Sequence, residues 1–235
     1  MIKLITFDLD NTLWDVMPVI IQAEKAMRAW IETRVTNYSA EITNEVMTEL
    51  RTSAIERNPK LIYNISDMRL LLLSQAIERC GIDAARAGEL AKQAFAVFMR
   101  GRNAVTLYDG AELMLSELAK SYKLAALTNG NADISVMPIA RYFAFSMSPE
   151  KVQARKPEPE IFAATLAQAG CRAPEVVHVG DHLSEDVDGA INAGWRAVWA
   201  NIGADPEPDR PNYNAQITHL AELPGVIENL AAGTT

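Results

Sequence analysis

Ile2-Lys3-Leu4-Ile5-Thr6-Phe7-Asp8-Leu9-Asp10-Asn11-Thr12 is the stretch that decides the fold. An apolar run of strand length stops abruptly at two carboxylates, Asp8 and Asp10, and a polar turn. This pattern predicts a buried strand whose carboxyl end carries polar chemistry. The same rhythm returns after Gly101. Lys123–Leu127 is a second short strand and ends at Thr128-Asn129-Gly130. Phe143–Met147 is a third, and Val176–Val179 a fourth, ending at Gly180-Asp181 with Asp186 five residues on. Arg196–Ala200 follows. Helical patterns near Ala111–Lys120, after Lys156-Pro157 and near Glu185–Ala193 separate these strands, and a last strand and helix follow a Pro-rich loop at Asp205–Pro211. Strands alternating with helices at this spacing predict an α/β fold with a doubly wound parallel sheet.

The stretch between the first strand and this region has a different period. From about Met17 to Arg100 apolar residues recur at three and four, as in Ile20, Ala23, Met27, Trp30 and Ile31. Ile42, Val46, Leu50 and Ala54 repeat the pattern, as do Leu70, Leu73 and Ile77, then Leu90, Ala94 and Phe98. Four helices are expected, broken near Asn37-Tyr38-Ser39, Asn58-Pro59 and Gly81. The organisation predicted is therefore an α/β core of residues 1–14 and 102–235, interrupted by a helical domain of residues 15–101.

Composition narrows the function. The 235 residues are 49% hydrophobic and 22% charged, which supplies a core and excludes wholesale disorder. Lys and Arg number 22 against 30 Asp and Glu, a net charge of -8. A nucleic-acid polymer is not expected as partner, because its binding surface normally brings a basic excess. No window approaches the length of apolar chain that spans a membrane, and Asp8 interrupts the start before a signal-peptide core could form, so a cytoplasmic protein is expected. The Asn-x-Ser matches at Asn37 and Asn64 then have no glycosylating compartment to act in. Cys80 and Cys171 are too few for a disulfide framework and too far apart for a thiolate metal motif.

Ligands of doubly wound sheets bind at the carboxyl ends of the strands. Asp8-x-Asp10-x-Thr12, Thr128-Asn129-Gly130 and Gly180-Asp181 with Asp186 all fall on that edge, and Arg155-Lys156-Pro157 opens the helix between the last two. Converging carboxylates repel one another unless a hard cation with oxygen ligands intervenes, and Mg²⁺ suits such a set. Asp-x-Asp-x-Thr is not an EF-hand start, since Leu13 and Val19 occupy the positions that loop reserves for glycine and glutamate. Thr128-Asn129-Gly130 alone would be a turn, and Lys156 alone a solvated charge. The ordered set carries the signal.

With those four motifs the chain resembles the haloacid dehalogenase-like hydrolase superfamily, in its phosphatase branch with a helical cap. The carriers are Phe7–Leu13, Leu127–Gly130, Arg155–Phe162 and Val179–Ala190, which leaves the helical insertion in the position of the cap. Within that branch the chain looks most similar to bacterial phosphatases of FMN and of the phosphoribitylaminouracil precursor of riboflavin, through Leu127–Ala132 and Asn58–Asn64. The resemblance implies a small phosphorylated metabolite as substrate, Asp8 as nucleophile and Asp10 as general acid and base. It implies Lys156 as the charge-neutralising cation and Thr128, Asn129 and Lys156 around the phosphate. Asp8, Asp10 (by its carbonyl), Asp181 and Asp186 would surround Mg²⁺, with Asp186 serving the metal's waters or Lys156. A nucleotidase, a phosphoglycolate-type phosphatase and a phosphomutase would use the same apparatus, as would a phosphate-sensing module that had lost catalysis. A dehalogenase would use Asp8 but has no need of Asp10 as an acid.

The remaining polar and aromatic candidates have simpler readings. His182 is expected as a solvated loop residue and His178 as a core or edge residue. Thr12 is read as a hydroxyl that fixes the first turn, Trp14 and Tyr63 as packing aromatics, and Lys60 and Arg69 as solvated cations.

Overall fold

Six parallel strands form one sheet: β1 (Leu4–Phe7), β2 (Lys123–Leu127), β3 (Phe145–Met147), β4 (Val176–Gly180), β5 (Arg196–Ala200) and β6 (Ala215–Ile217). Their order is β3-β2-β1-β4-β5-β6. This computed structural model describes residues 1–206, 209 and 212–233. Of the expected Pro-rich loop, Glu207, Pro208, Arg210 and Pro211 lie outside the described residues.

The strand opening the chain becomes the middle of the sheet. Leu4 stands opposite Lys123 on one side and Val176 on the other, and every residue of β1 is buried. A strand covered on both faces needs the near-continuous apolar run found there, in place of alternation. The order reverses at β1, the topological switch point beside which doubly wound sheets bind ligands. The doubly wound parallel sheet read from the sequence is the one observed.

The chain divides into two compact units, residues 1–16 with 106–235, and residues 17–105. The helical unit opens within α1 (Val16–Glu32) and closes just after α5 (Ala84–Arg102). In the sheet unit, α6 (Ala111–Leu118), α7 (Pro149–Val152), α8 (Pro159–Ala169) and α10 (Leu223–Ala232) accompany the strands. Phe162 of α8 meets Trp195 edge-on at 5.1 Å, and a side chain on Gly189 would strike Phe162 at 2.8 Å, so α8 requires a glycine there.

One helix departs from expectation. Glu185–Ala193 is not a continuous α-helix: a π-helical turn covers Leu183–Asp188 and α9 only Gly189–Asn192. The widened turn arises because the amides of Asp186 and Val187 both donate to the carbonyl of His182, at 2.8 and 3.3 Å. Such bulges accompany functional sites, and this one turns Asp186 back toward β4.

The helical unit contains α1, α2 (Tyr38–Glu41), α3 (Asn44–Arg57), α4 (Ile65–Arg79) and α5. Ala23, Met27, Ile31, Leu73, Ile77, Leu90, Ala94 and Phe98 form its main core, largely the residues whose spacing announced the helices. Thr43, Asn64 and Asp83 cap the N-termini of α3, α4 and α5 through their side chains, as short polar residues do at that position. Among the described residues no helix is long and apolar enough to cross a membrane.

Candidate active site

β1 delivers Asp8 to the sheet edge, where its amide donates to the Val179 carbonyl at 2.8 Å and its side chain is almost wholly buried. The chain then turns: Leu13 donates back to the Leu9 carbonyl at 2.8 Å, and Asn11 takes a left-handed conformation at φ 60°. Asparagine tolerates that region better than most residues. The turn brings Asp10 to half-buried exposure, with one carboxylate oxygen accepting from Trp14 Nε1 at 2.9 Å. Trp14 is therefore a buried packing residue, as expected, and in addition it orients Asp10.

From the neighbouring strand ends, β4 contributes Asp181 and Asp186. Oxygens of Asp8, Asp181 and Asp186 all lie within 4.8 Å of one another. Gly180 makes this approach possible, since a side chain there would meet Asp186 Cγ at 2.3 Å. Thr12 donates to Asp181 Oδ1 at 3.2 Å and the Asp181 carbonyl accepts from Trp199 Nε1 at 2.8 Å, so the loop is held from both sides.

Lys156, only 1% exposed, sits between two of these acids. Its Nζ donates to Asp8 Oδ1 at 2.6 Å and also to Asp186 Oδ1. Asn129 holds the lysine's main chain at both ends: Nδ2 donates to the Lys156 carbonyl and Oδ1 accepts from the Lys156 amide, each at 2.9 Å. Glu185 accepts from Asn129 Nδ2 at 2.7 Å and from Arg155 at 3.0 Å. The Asn129 side chain is thus spent on Lys156 and Glu185, and only its main chain is left to face a ligand. The physical reason is that an amide matches a peptide group donor for acceptor. The Thr128 hydroxyl accepts from the Gly130 amide at 3.0 Å and keeps its own proton for a further acceptor.

Behind the acids runs a buried polar chain that the sequence did not reveal. His178 Nε2 lies 2.9 Å from Asp186 Oδ1 and its Nδ1 lies 2.8 Å from Thr6 Oγ1. A neutral ring satisfies both contacts when Thr6 donates to Nδ1 and Nε2–H donates to Asp186. His178 is the core residue expected, and it also fixes Asp186. Its signal was a histidine and a threonine at matching positions of two strands that are otherwise apolar. His182 is an exposed loop residue, as expected, and is engaged locally: its amide donates to Asp186 Oδ2 at 3.0 Å and its ring nitrogen accepts from the Glu185 amide at 3.2 Å.

The electrostatics follow from this packing. Burial lifts Asp8 well above the usual carboxylate range; Lys156 opposes the rise and Asp186 and Asp181 add to it. Burial together with Asp186 pushes Asp181 up to about 6. Burial would also raise Asp186, but Lys156 and His178 outweigh it and hold that carboxyl below its ordinary value. Burial would depress Lys156, and Asp186 and Asp8 outweigh it and keep the ammonium charged. Burial lowers His178, which favours the neutral ring. Three acids sharing one lysine leave uncompensated negative charge, with oxygens only. That donor set fits a hard divalent cation, which would relieve the repulsion lifting Asp8 and Asp181. Asp10 contributes no carboxylate to this group of three.

The pocket above these groups is about 160 Å³ and is lined by Asp8, Asp10, Thr128, Lys156, Asp181 and their loop neighbours. Sites for whole organic ligands run about 300–1,000 Å³. This one has room for a reactive head group only.

Comparison with known proteins places the chain in a lineage. The pattern of the haloacid dehalogenase-like hydrolases matches residues 2–194. The chain is 30% identical over 201 residues to 5-amino-6-(5-phospho-D-ribitylamino)uracil phosphatase YigB of Escherichia coli (strain K12), a match covering 84% of this chain and 83% of that one. It is 27% identical to N-acylneuraminate-9-phosphatase of Homo sapiens, over 97% and 95% of the two chains. Among solved structures, a 2-haloacid dehalogenase from Pseudomonas syringae pv. Tomato DC3000 superposes with a TM-score of 0.92 at 39% identity, covering 97% of this chain and 99% of that chain.

Proposed function

The chain belongs to the haloacid dehalogenase-like hydrolases, and from that membership we propose that it is a phosphatase that hydrolyses a small phosphate monoester through an aspartyl-phosphate on Asp8. The observation that carries this reading is Asp10. It lines the same small pocket as Asp8 and is oriented by Trp14. Expulsion of an alkoxide calls for a proton donor, and a halide leaves without one.

Asp8 attacks phosphorus while the bond to the leaving oxygen breaks and Asp10 gives that oxygen its proton. Asp10, now a carboxylate, takes a proton from water, whose oxygen attacks the phosphoryl group and releases Asp8 and inorganic phosphate. The Thr128 hydroxyl and the main chain from Asn129 onward donate to phosphoryl oxygens. Lys156 favours the ionised form of Asp8 against the burial that raises it, and offsets charge on the transferring group. Asn129, Glu185 and His178 act through others: Asn129 holds the lysine's backbone, Glu185 holds Asn129, and His178 holds Asp186. Asp8, Asp181 and Asp186, with the Asp10 carbonyl, would hold Mg²⁺, which when bound supplies neutralisation of the acids and orientation of a phosphoryl oxygen.

The pocket's small size supports a division of labour in which it takes the phosphoryl group and the rest of the substrate is recognised elsewhere, with the helical unit acting as the cap. The YigB relative supports a riboflavin-precursor phosphate or FMN as the substrate class. The Pseudomonas syringae structure favours a second reading, attack of Asp8 on the halogen-bearing carbon of a 2-haloacid. One pair of assays separates them: phosphate release from p-nitrophenyl phosphate with Mg²⁺, and halide release from 2-chloropropionate. Phosphate release that is abolished by a chelator and by Asp10→Asn supports the phosphatase. Halide release with no phosphate release, undiminished in Asp10→Asn, overturns it.

A further inference from the structure

We propose that the helical unit carries a second binding site, for an organic anion with a flat apolar body and one acidic group. A cavity of about 600 Å³ lies among α1, α3 and α4, within the size range of organic-ligand sites. It is made by helix faces that the core leaves unfilled. α3 turns Asn44, Met47, Thr48 and Arg51 toward it, one face at intervals of three and four. α4 turns Ile65, Met68, Arg69 and Leu72 toward it at the same spacing. Along α3, Ala54 alone is fully buried, so this helix makes little core of its own. The walls join two separate apolar clusters: Met27 and Leu73 belong to one, Met68 and Leu72 to the other. Three of these residues are methionines, whose flexible thioethers adapt to an aromatic ligand.

The polar groups in the cavity point to an anion. Tyr38 is only 4% exposed and lines the cavity, and its hydroxyl has no hydrogen-bond partner among the described residues. Burial pushes that hydroxyl up to about 12, so it stays neutral and able to donate. Among the described residues Arg28 hydrogen-bonds only Ser39 Oγ and the Ile42 carbonyl, each at a long 3.4 Å, and lies 5.9 Å from the Tyr38 ring. Neither Arg28 nor Arg51 has a carboxylate partner among the described residues, whereas Arg69 is paired with Glu24. Three arginines against one glutamate give this cavity a net of +2 in a chain of net -8. A guanidinium presents two parallel donors to a carboxylate, sulfonate or phosphate. The cavity shares no lining residue with the acidic pocket, so the inference stands whichever reaction Asp8 performs.

The test uses two aromatic probes of one shape, 8-anilinonaphthalene-1-sulfonate and its neutral counterpart N-phenyl-1-naphthylamine, titrated by calorimetry and fluorescence into the full chain. The sulfonate is expected to bind saturably at one per chain, about tenfold more tightly than the neutral compound. Arg28→Met with Arg51→Met is expected to remove that preference and leave the neutral compound unaffected. Leu72→Trp, which fills the cavity, should weaken both. Equal affinity of the two compounds for the unmodified protein, or binding without saturation at one per chain, overturns the proposal, and neither result depends on a variant folding. A sulfonate preference that survives in a folded Arg28→Met/Arg51→Met variant overturns it as well.

Discussion

The two pockets of this molecule handle charge in opposite ways. At the sheet edge every charge is tied down: Lys156 to Asp8 and Asp186, Asp186 to His178 and the His182 amide, Asp181 to Thr12. In the helical unit, Arg28 and Arg51 line a larger cavity with apolar walls, and neither has a carboxylate partner among the described residues. Preorganised charge suits a reaction that repeats on one head group, because no rearrangement is needed at the moment of reaction. Unpaired charge beside apolar walls suits the recognition of something that brings its own counter-charge. Removing a charge should therefore be drastic in the first region and nearly silent in the second.

The largest effect is expected at Asp8. Asp8→Asn should lower phosphate release by about 10⁴-fold or more, as loss of a covalent nucleophile does, while circular dichroism shows the fold retained. Lys156→Met comes next. It strands two buried carboxylates, so with chelator present it should cost about 3–5 kcal/mol in urea unfolding and lower turnover by about 10²–10³-fold. A loss below about 1 kcal/mol would mean that the acids do not depend on their lysine.

Asp181 sharpens the comparison through pH. Its folded value is raised to about 6, so without metal the folded chain holds a proton that the unfolded chain has already lost. Its contribution to stability is present below the ordinary carboxylate value and is lost as pH rises toward 6 and beyond. Carbon NMR of the chelated protein should show an Asp181 midpoint near 6, and added Mg²⁺ should drive it down. A midpoint near 4 without metal would contradict the burial of Asp181 beside Asp186.

His178→Leu should cost about 1–3 kcal/mol and lower kcat with little change in KM, because it releases Asp186 without touching substrate. The smallest effect belongs to the other region. Arg28→Met should change stability by no more than about 0.5 kcal/mol in the same urea assay, since it breaks no ion pair. A large loss there would end the contrast.

The sequence carried most of this architecture because its signals are local. β2 and β5 have the bounds their apolar runs announce, and Asp8, Thr128, Lys156 and Asp181 could be placed at strand ends and at a helix entrance without knowing which strands pair. What lay hidden depends on three-dimensional register. His178 reaches Thr6 because β1 and β4 are adjacent with those two residues opposite each other, and reaches Asp186 because a π-helical turn replaces the first part of the expected helix. Asn129 could be placed beside the phosphate by position, but not its side chain's role as a clamp, because Lys156, distant in sequence, folds against it. The arginine-lined cavity was illegible for a related reason: a void is a property of how helices meet, and the periodicity of α3 and α4 is the same whether their faces are filled or empty.

The aspartyl-phosphate is the claim on which the account turns. Mass spectrometry of the protein mixed with a phosphomonoester and Mg²⁺, then quenched in acid within a turnover, should find one phosphoryl group on the peptide containing Asp8 and none in Asp8→Asn. Rapid phosphate release with Asp8 unmodified, or undiminished release by Asp8→Asn, would contradict it.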